Sequence, residues 1–239
     1  MSENISLSII IPAYNEEQSL GDTIQAIHDF MEARRKVYEV IVVDDGSGDM
    51  TCNVAEKSIL SRNGRLRVIH NGRNRGKGFS VRNGISNSSG KYVLLCDADM
   101  STPISELDKL LSCCGNKCPV VIGSRSVRDS SVGLRQPWYR EKMGKIFNLL
   151  LRLFLMDGFR DTQCGFKLIR GDVAREIGED MKIEGFCFDA EMLYMASKKG
   201  YGIEEVGVVW NDSPRSKVKI LNSSFGMFFD LFKIKRLHG

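Results

Sequence analysis

Short apolar runs alternate with longer amphipathic segments along the first hundred residues. The runs are four to six residues long and rich in β-branched side chains, which predicts buried strands. They cover residues 7–11, 40–43, 66–69 and 91–96. Between them, apolar residues recur at helical spacing, which predicts helices that include residues 20–31, 54–60 and 81–85. Apolar strands alternating with helices predict an α/β fold with a Rossmann-like, mostly parallel sheet covered by helices on both faces.

Polar residues follow three of the four predicted strands. Pro12 is expected to end the first strand and to open the segment Pro-Ala-Tyr-Asn-Glu, while Asp-Asp-Gly-Ser at 44–47 follows the second. Asp97 and Asp99 follow the fourth strand, and the period-two alternation of a strand places both carboxylates on one face. Two adjacent carboxylates suit Mg²⁺ or Mn²⁺ together with substrate phosphates. An ordinary strand-end turn is the alternative, because Asp is common in turns.

Two common phosphate-binding loops are missing from the sequence. No Gly-x-Gly-x-x-Gly follows the first strand, and the segment around Gly76, Lys77 and Gly78 lacks the spacing and the Lys-Ser/Thr ending of a Walker loop. Ligands of parallel sheets bind beyond the carboxyl ends of the strands. The sequence therefore favours a nucleotide site that a metal ion organises.

The motifs at residues 12–16, 43–47, 74–78 and 97–99 resemble those of glycosyltransferase family 2, whose members are inverting enzymes with the GT-A fold. Further motifs narrow the resemblance to the dolichyl-phosphate glucosyltransferase branch, rather than its sister branch of mannose synthases. These are Gly-Ser-Arg at 123–125, Arg-Asp-Thr-Gln-Cys-Gly-Phe-Lys-Leu at 160–168, Phe-Asp-Ala-Glu at 188–191, Val-Trp at 209–210 and Ser-Lys at 216–217. The resemblance spans nearly the whole chain, so we expect a single GT-A domain over residues 1–239.

Two departures separate the chain from the mannose synthases. Ser101 stands where those enzymes carry a glutamine, and an arginine that they carry near Asn211 is missing. The resemblance thus implies transfer of a hexose, glucose from UDP-glucose, to a polyprenyl (dolichyl) phosphate, giving a β-linked product. The alternatives are a GDP-mannose-dependent transferase, a family 2 enzyme with a hydroxyl acceptor, and a catalytically silent nucleotide-sugar-binding scaffold.

The resemblance also implies roles for individual residues. Asp97 and Asp99 would hold Mg²⁺ or Mn²⁺, and with Arg125 and Asp189 they form the expected catalytic set. The acceptor phosphate would meet Arg125, Arg140 and Arg135, since arginine pairs bidentately with phosphate. Solvated surface arginines are the alternative. The donor would be bound by Pro12, Tyr14, Glu16, Val43, Asp45, Lys77, Asp97, Ala98, Asp99 and Lys217.

Four further residues carry open alternatives. Asp189 and Glu191 match a family position that acts as a base where the acceptor is a hydroxyl; here they would position sugar hydroxyls or the loop around Lys217. Asp161 and Gln163 either frame the sugar pocket or form a structural turn that seats Phe166.

Composition and charge suggest where the protein works. Hydrophobic residues make up 42% and charged residues 27%, as in ordinary globular proteins, and the seven cysteines at irregular spacing fit a reducing compartment. Neither a secretory signal nor a run of ~18 apolar residues is apparent. Residues 139–160 hold five basic residues against two acidic ones, and residues 214–239 hold six against one. Both segments are also apolar.

We therefore expect membrane-interface helical segments at about 139–160 and 222–239, with core packing as the alternative. A peripheral enzyme on the cytoplasmic side would follow, at the endoplasmic reticulum membrane in a eukaryote or the plasma membrane in a prokaryote. The anchor would otherwise lie on a membrane-anchored partner, and a homo-oligomer is a further alternative. No nucleic-acid partner is expected.

Overall fold

The computed structural model describes residues 5–133, 138–156, 158–212 and 220–239. Within these ranges the strands are β1 (Leu7–Ala13), β2 (Tyr38–Asp44), β3 (Leu66–His70), β4 (Tyr92–Leu95), β5 (Val120–Ser124), β6 (Ser131–Val132), β7 (Lys167–Arg170), β8 (Ile203–Gly207) and β9 (Val209–Trp210). The helices are α1 (Leu20–Glu32), α2 (Thr51–Glu56), α3 (Ile59–Arg62), α4 (Lys77–Ser86), α5 (Leu107–Cys113), α6 (Trp138–Phe154), α7 (Gly171–Asp180), α8 (Phe188–Lys198) and α9 (Ile220–His238).

One large sheet has the strand order β3-β2-β1-β4-β7-β5-β8, and β6 pairs separately with β9. The strands β3, β2, β1 and β4 are mutually parallel, whereas β7 runs antiparallel to both of its neighbours. The predicted mostly parallel α/β sheet is thus confirmed. The strand order changes direction between β1 and β4, which is where open α/β sheets bind ligands.

Period-two alternation along β1 divides the core between the two faces of the sheet. Ile9 and Ile11 pack on one face with α1, α3 and α5, whereas Ile10 packs on the other with α4, α7, α8 and α9. All three isoleucine side chains are fully buried. A strand covered on both faces needs apolar residues at every position, which explains the uninterrupted run in the sequence.

Two boundaries in the first sixty residues differ from the sequence-based expectation. Pro12 lies inside β1 opposite Val43 and does not end the strand; pairing of β1 with β4 stops at Ile10, so Pro12 needs no N–H on that side. The expected helix around residues 54–60 is two short helices, because Ser58 adopts an extended backbone and caps the second one.

The expected interface segment at 139–160 is helical only as far as Phe154. Beyond it the chain turns, and Gly158 has a φ of 105°. The helices α6 and α9 pack against each other, with the rings of Phe154 and Phe232 5.1 Å apart. Among the described residues, no helix is both long and apolar enough to cross a bilayer.

Candidate active site

The loops after β1 and β2 lie side by side at the switch in strand order. Ala13 pairs with Asp44, and the Ala13 carbonyl accepts a hydrogen bond from the backbone N–H of Asp45 at 2.9 Å. The Ser47 hydroxyl accepts from the Asn15 N–H at 2.9 Å, and the Asn15 side chain accepts from the Gly48 N–H at 2.8 Å. These bonds hold together two of the predicted donor-binding motifs, the one at the end of β1 and the one at the end of β2.

Asp45 fixes the loop that follows β3. Its buried carboxylate accepts hydrogen bonds from the N–H groups of Arg75 (3.0 Å) and Gly76 (2.8 Å) and from the Asn71 side chain (2.8 Å). Gly76 has a φ of 106°, and a Cβ there would lie 2.4 Å from the Glu184 carbonyl oxygen, so only glycine fits. The loop therefore delivers Lys77, the first residue of α4, to the same strand ends. The contact of Asp45 with the donor stays a prediction.

Asp97 and Asp99 follow β4 in a tight turn. Met100 has a φ of 47°, and its N–H donates to the Asp97 carbonyl at 3.1 Å. One oxygen of Asp99 accepts from the N–H (3.1 Å) and hydroxyl (2.9 Å) of Ser101. Ser101, which stands at the glutamine position of the mannose synthases, thus orients Asp99. Burial and the neighbouring Asp97 carboxylate raise the pKa of Asp99.

Lys77 forms an ion pair with Asp97, whose Oδ1 accepts from the lysine Nζ at 2.6 Å. Burial opposes both charges, yet the pair prevails: the pKa of Asp97 is lowered by Lys77, and that of Lys77 is raised by Asp97, Asp189 and Asp99. Prediction placed Lys77 at the donor. The structure also makes it the partner of a predicted metal ligand.

Lys167 completes the charge arrangement, and sequence reasoning gave it no role. This fully buried lysine at the start of β7 donates to an oxygen of Asp189 and to the Cys164 carbonyl. Burial raises the pKa of the Asp189 carboxyl, against the opposing effect of Lys167 and Lys77. A lone lysine in the apolar run Phe-Lys-Leu-Ile is the signal that could have identified it, because lysine is rarely buried without a partner.

The backbone at Gly165 closes one side of the carboxylate pair. A Cβ at this position would lie 2.1 Å from Asp97 Oδ2. Glycine is therefore required where the segment between Cys164 and Phe166 passes the carboxylate.

Arg125, the predicted acceptor-phosphate residue, pairs with Asp161. Its Nε and Nη2 donate to the two carboxylate oxygens at 2.6 and 2.8 Å, and its backbone N–H adds a third bond at 2.9 Å. Asp161 is 1% exposed, whereas 27% of the Arg125 side chain is exposed. The Gln163 N–H also donates to Asp161 at 3.3 Å. Asp161 thus fixes the backbone at 125 and 163 and orients the arginine.

Glu191 contacts groups that belong to the fold and not to the carboxylate–lysine cluster. Its carboxylate accepts from the N–H groups of Lys182 and Ile183, both at 2.9 Å, and lies 2.8 Å from Nε2 of His238. Two residues apart on α8, Asp189 and Glu191 point to different sides of the helix. Asp189 belongs to the carboxylate–lysine cluster, whereas Glu191 holds the segment before α8 and the end of α9.

The remaining predicted residues divide into two groups. Pro12, Tyr14, Glu16, Val43 and Ala98 lie on or directly after β1, β2 and β4, and Tyr14 is 45% exposed. Arg135, Lys217 and the side chain of Arg140 lie outside the described residues. The structure therefore brings together the strand-end residues and does not address the predictions for those three.

The cluster has the charge and donor atoms that a divalent cation requires. Asp97, Asp99 and Asp189 face Lys77 and Lys167, so three carboxylates meet two ammonium groups. Asp97 and Asp99 offer only oxygen ligands, the type that Mg²⁺ and Mn²⁺ prefer. A cation beside them would also offset the burial and the repulsion from Asp97 that together raise the pKa of Asp99. The residues present fit the predicted metal ion.

Solved structures share this fold. A glucosyl-3-phosphoglycerate synthase from Mycobacterium tuberculosis, in complex with Mn²⁺, UDP and glucosyl-3-phosphoglycerate, superposes with a TM-score of 0.68 at 19% identity, covering 97% of this chain and 78% of that one. Mannosyl-3-phosphoglycerate synthase from Rubrobacter xylanophilus gives a TM-score of 0.68 at 19% identity, over 97% and 73%. The sheet, its switch point and these likenesses show the GT-A fold, and the predicted fold class is confirmed.

Sequence comparison gives the family. The profile of "Glycosyl transferase family 2" matches residues 8–178. The dolichyl-phosphate beta-glucosyltransferase of Drosophila melanogaster is 35% identical over 246 residues (98% of this chain, 75% of the relative), and that of Homo sapiens is 34% identical over 241 residues (96% and 74%). The chain therefore belongs to glycosyl transferase family 2. The resemblance to that family and to its dolichyl-phosphate glucosyltransferase branch is confirmed.

Proposed function

We propose that this glycosyltransferase moves glucose from UDP-glucose to a polyprenyl phosphate of the dolichyl type, with inversion to a β-linked product. The observation that carries the proposal is the Asp97–Asp99 pair at the strand switch, flanked by Lys77. The choice of glucose and of a lipid phosphate rests on the relatives, whose names state both.

A divalent cation bound at Asp97 and Asp99 would supply the positive charge that stabilises the departing nucleoside diphosphate. The chain's own residues prepare that position. Ser101 holds one Asp99 oxygen, and Lys77 holds one oxygen of Asp97, so both carboxylates are oriented before substrate arrives. Preoriented charges avoid reorganisation during the reaction.

The acceptor in this proposal needs cations more than it needs a base. A phosphate monoester is already an anionic nucleophile at neutral pH, so no side chain has to remove a proton from it. Arg125 would help to seat the phosphate with its exposed edge, while Asp161 holds its Nε and Nη2 in place. Arginine held in a fixed plane suits bidentate binding of phosphate.

Asp189 favours a second candidate, a hydroxyl acceptor. Its buried carboxyl has a raised pKa and shares a cluster with Lys77 and Asp97, as a general base beside the donor would. The pairing with Lys167 favours instead a structural role that keeps the cluster charged and in place.

A panel of donors and acceptors tests the proposal. UDP-glucose, GDP-mannose and UDP-N-acetylglucosamine are each offered with a short polyprenyl phosphate or with the matching polyprenol, and the lipid product is counted. We expect UDP-glucose with the phosphate to give the most product. EDTA should abolish transfer, and excess Mg²⁺ or Mn²⁺ should restore it. Transfer that proceeds undiminished in EDTA would contradict the metal role, and preferential use of the polyprenol would favour the hydroxyl acceptor.

The Asp99→Asn variant examines the site directly. Loss of one ligand charge should reduce kcat by at least about a hundredfold, an effect of roughly 3 kcal/mol on the barrier. Asp180→Asn, at an exposed carboxylate on α7, serves as the matched control and should retain activity. Equal activity of the two variants would remove Asp99 from the proposed mechanism.

We also infer that the protein meets the membrane through α6 and α9. Ile146 and Leu149 on α6 and Phe229 on α9 are more than half exposed, and Lys235 and Arg236 follow in the last turn of α9. Apolar side chains bordered by basic residues suit an anionic membrane surface. A long lipid acceptor would make such contact useful, because its phosphate stays at that surface. This supports the expected place on the cytoplasmic face of a membrane.

A further inference from the structure

A carboxylate, a thiol and an imidazole lie close together near the ends of β2 and β3. Asp44 ends β2, Cys52 lies in the first turn of α2, and His70 ends β3. One ligand atom from each lies within 4.8 Å of the other two. Sequence spacing gives no sign of this cluster, because its members come from three elements that only the fold brings together.

The distances suit one tetrahedral ion. Cys52 Sγ lies 3.6 Å from Nδ1 of His70, and Oδ2 of Asp44 lies 3.8 Å from the same nitrogen. Zinc bonds of about 2.0–2.3 Å at tetrahedral angles place two ligand atoms roughly 3.3–3.6 Å apart. The sulfur–nitrogen separation already matches this range. A small rotation of the half-exposed His70 ring would shorten the oxygen–nitrogen separation into it.

The surroundings favour a cation over a reactive thiolate. The carboxylates of Asp44, Glu56 and Asp49 surround the Cys52 thiol with negative charge, whereas nucleophilic cysteines need electropositive surroundings. On the opposite side of the imidazole, Glu56 Oε1 lies 3.9 Å from Nε2 of His70. Metal-bound histidines commonly face a carboxylate at their second nitrogen.

We propose that Asp44, Cys52 and His70 bind a zinc-type divalent ion, at a site separate from the Asp97–Asp99 pair. Sulfur and imidazole ligands select Zn²⁺, or Co²⁺ as its substitute, over Mg²⁺. On binding, the Cys52 thiol releases its proton to solvent, and a water molecule fills the fourth position.

Such an ion would brace the donor side of the fold. It would tie α2 to the ends of β2 and β3, and two of its ligands immediately precede Asp45 and Asn71. Those two residues are hydrogen-bonded to each other at 2.8 Å and hold the loop that carries Lys77. The site itself is independent of the proposed sugar transfer, so its binding test needs no turnover.

Cobalt titration of the metal-stripped full chain tests the proposal, with excess Mg²⁺ present to occupy oxygen-only sites. A thiolate-to-cobalt charge-transfer band should appear in the near ultraviolet and saturate at about one ion per chain, and Zn²⁺ should remove it by competition. Cys52→Ser should abolish the band. His70→Gln, at a side chain that is 52% exposed, should weaken cobalt binding at least about tenfold.

Two variants serve as controls. Cys118→Ser removes a similarly half-exposed cysteine outside the cluster, and Asp99→Asn alters the other site; both should keep the band. Absence of a band in the wild-type chain, or a band of full strength in Cys52→Ser or His70→Gln, would overturn the proposal.

Discussion

At the scale of the residue, Lys167 shows how a buried charge is kept in this fold. Its ammonium group has no exposed surface and finds its partners within the protein, in Asp189 and the Cys164 carbonyl. A buried ion pair adds little stability over an apolar pair, but removal of one partner leaves the other buried and uncompensated.

Lys167→Met should therefore destabilise the protein strongly, by roughly 3–5 kcal/mol. Urea unfolding followed by circular dichroism measures the loss. The double variant Lys167→Met/Asp189→Asn should recover part of it, since no charge then remains unpaired. Lys199→Met, which removes an exposed lysine paired with Glu176, should leave the free energy of unfolding unchanged. A Lys167→Met variant as stable as wild type would mean that water reaches Asp189.

Residue-scale prediction from sequence succeeded where the cause was local. Asp97 and Asp99 lie close together beyond β4, as expected, but β4 ends at Leu95 and they lie in a turn, so local turn geometry and not strand periodicity sets their positions. The ion pairs were not predicted: Lys77 pairs with Asp97, Lys167 pairs with Asp189, and Arg125 meets Asp161 across 36 positions. Such pairs depend on the packing of distant elements, which one sequence does not reveal. For the same reason the cluster of Asp44, Cys52 and His70 had no signal.

At the scale of the element, the segment between Asp161 and β7 makes close contacts with several residues of the site. It leaves the Arg125 pairing at Asp161, passes Asp97 at Gly165, and enters β7 with Lys167. Because β7 is inserted antiparallel beside β4, its entry lies at the same edge as the carboxyl end of β4. One short segment therefore contacts the predicted acceptor, metal and sugar residues.

Gly165→Ala should impair sugar transfer while the protein stays folded. The new Cβ would meet Asp97 Oδ2 at 2.1 Å, so the carboxylate must move out of the orientation that Lys77 gives it. We expect kcat for sugar transfer to fall by at least about tenfold, since misplacement of a reacting group by 1 Å costs up to about a hundredfold.

Gly115→Ala is the matched control, because a Cβ there meets nothing within 4 Å. This variant should keep wild-type kcat, and both variants should stay folded by circular dichroism. If Gly165→Ala transferred glucose at the wild-type rate, the close approach would have no catalytic meaning.

At the scale of the whole molecule, alternation of apolar strands and helices was enough to predict the architecture. The layers, the two-sided core and the location of the site follow from it. The antiparallel insertion of β7 between β4 and β5 did not, because a short apolar strand carries no mark of its direction. The end of α6 at Phe154 did not follow either, because the apolar and basic residues of this segment serve both packing and the exposed face.

That exposed face carries the last prediction. Leu151, Leu231 and Ile234 are buried where α6 and α9 meet the domain, so their neighbours on the outer surface are free to contact lipid. Vesicle flotation should show binding to anionic vesicles at low salt and weaker binding at high salt, because salt screens the basic residues.

Leu149→Glu/Phe229→Glu should lower the partition coefficient by about a hundredfold, as losing burial of two large apolar side chains costs roughly 3 kcal/mol or more. Ile59→Glu, at an exposed apolar residue on α3, should bind like wild type. Undiminished binding of the double variant would assign the interaction to another surface, whereas its loss, with transfer to a short water-soluble acceptor retained, would separate membrane contact from chemistry.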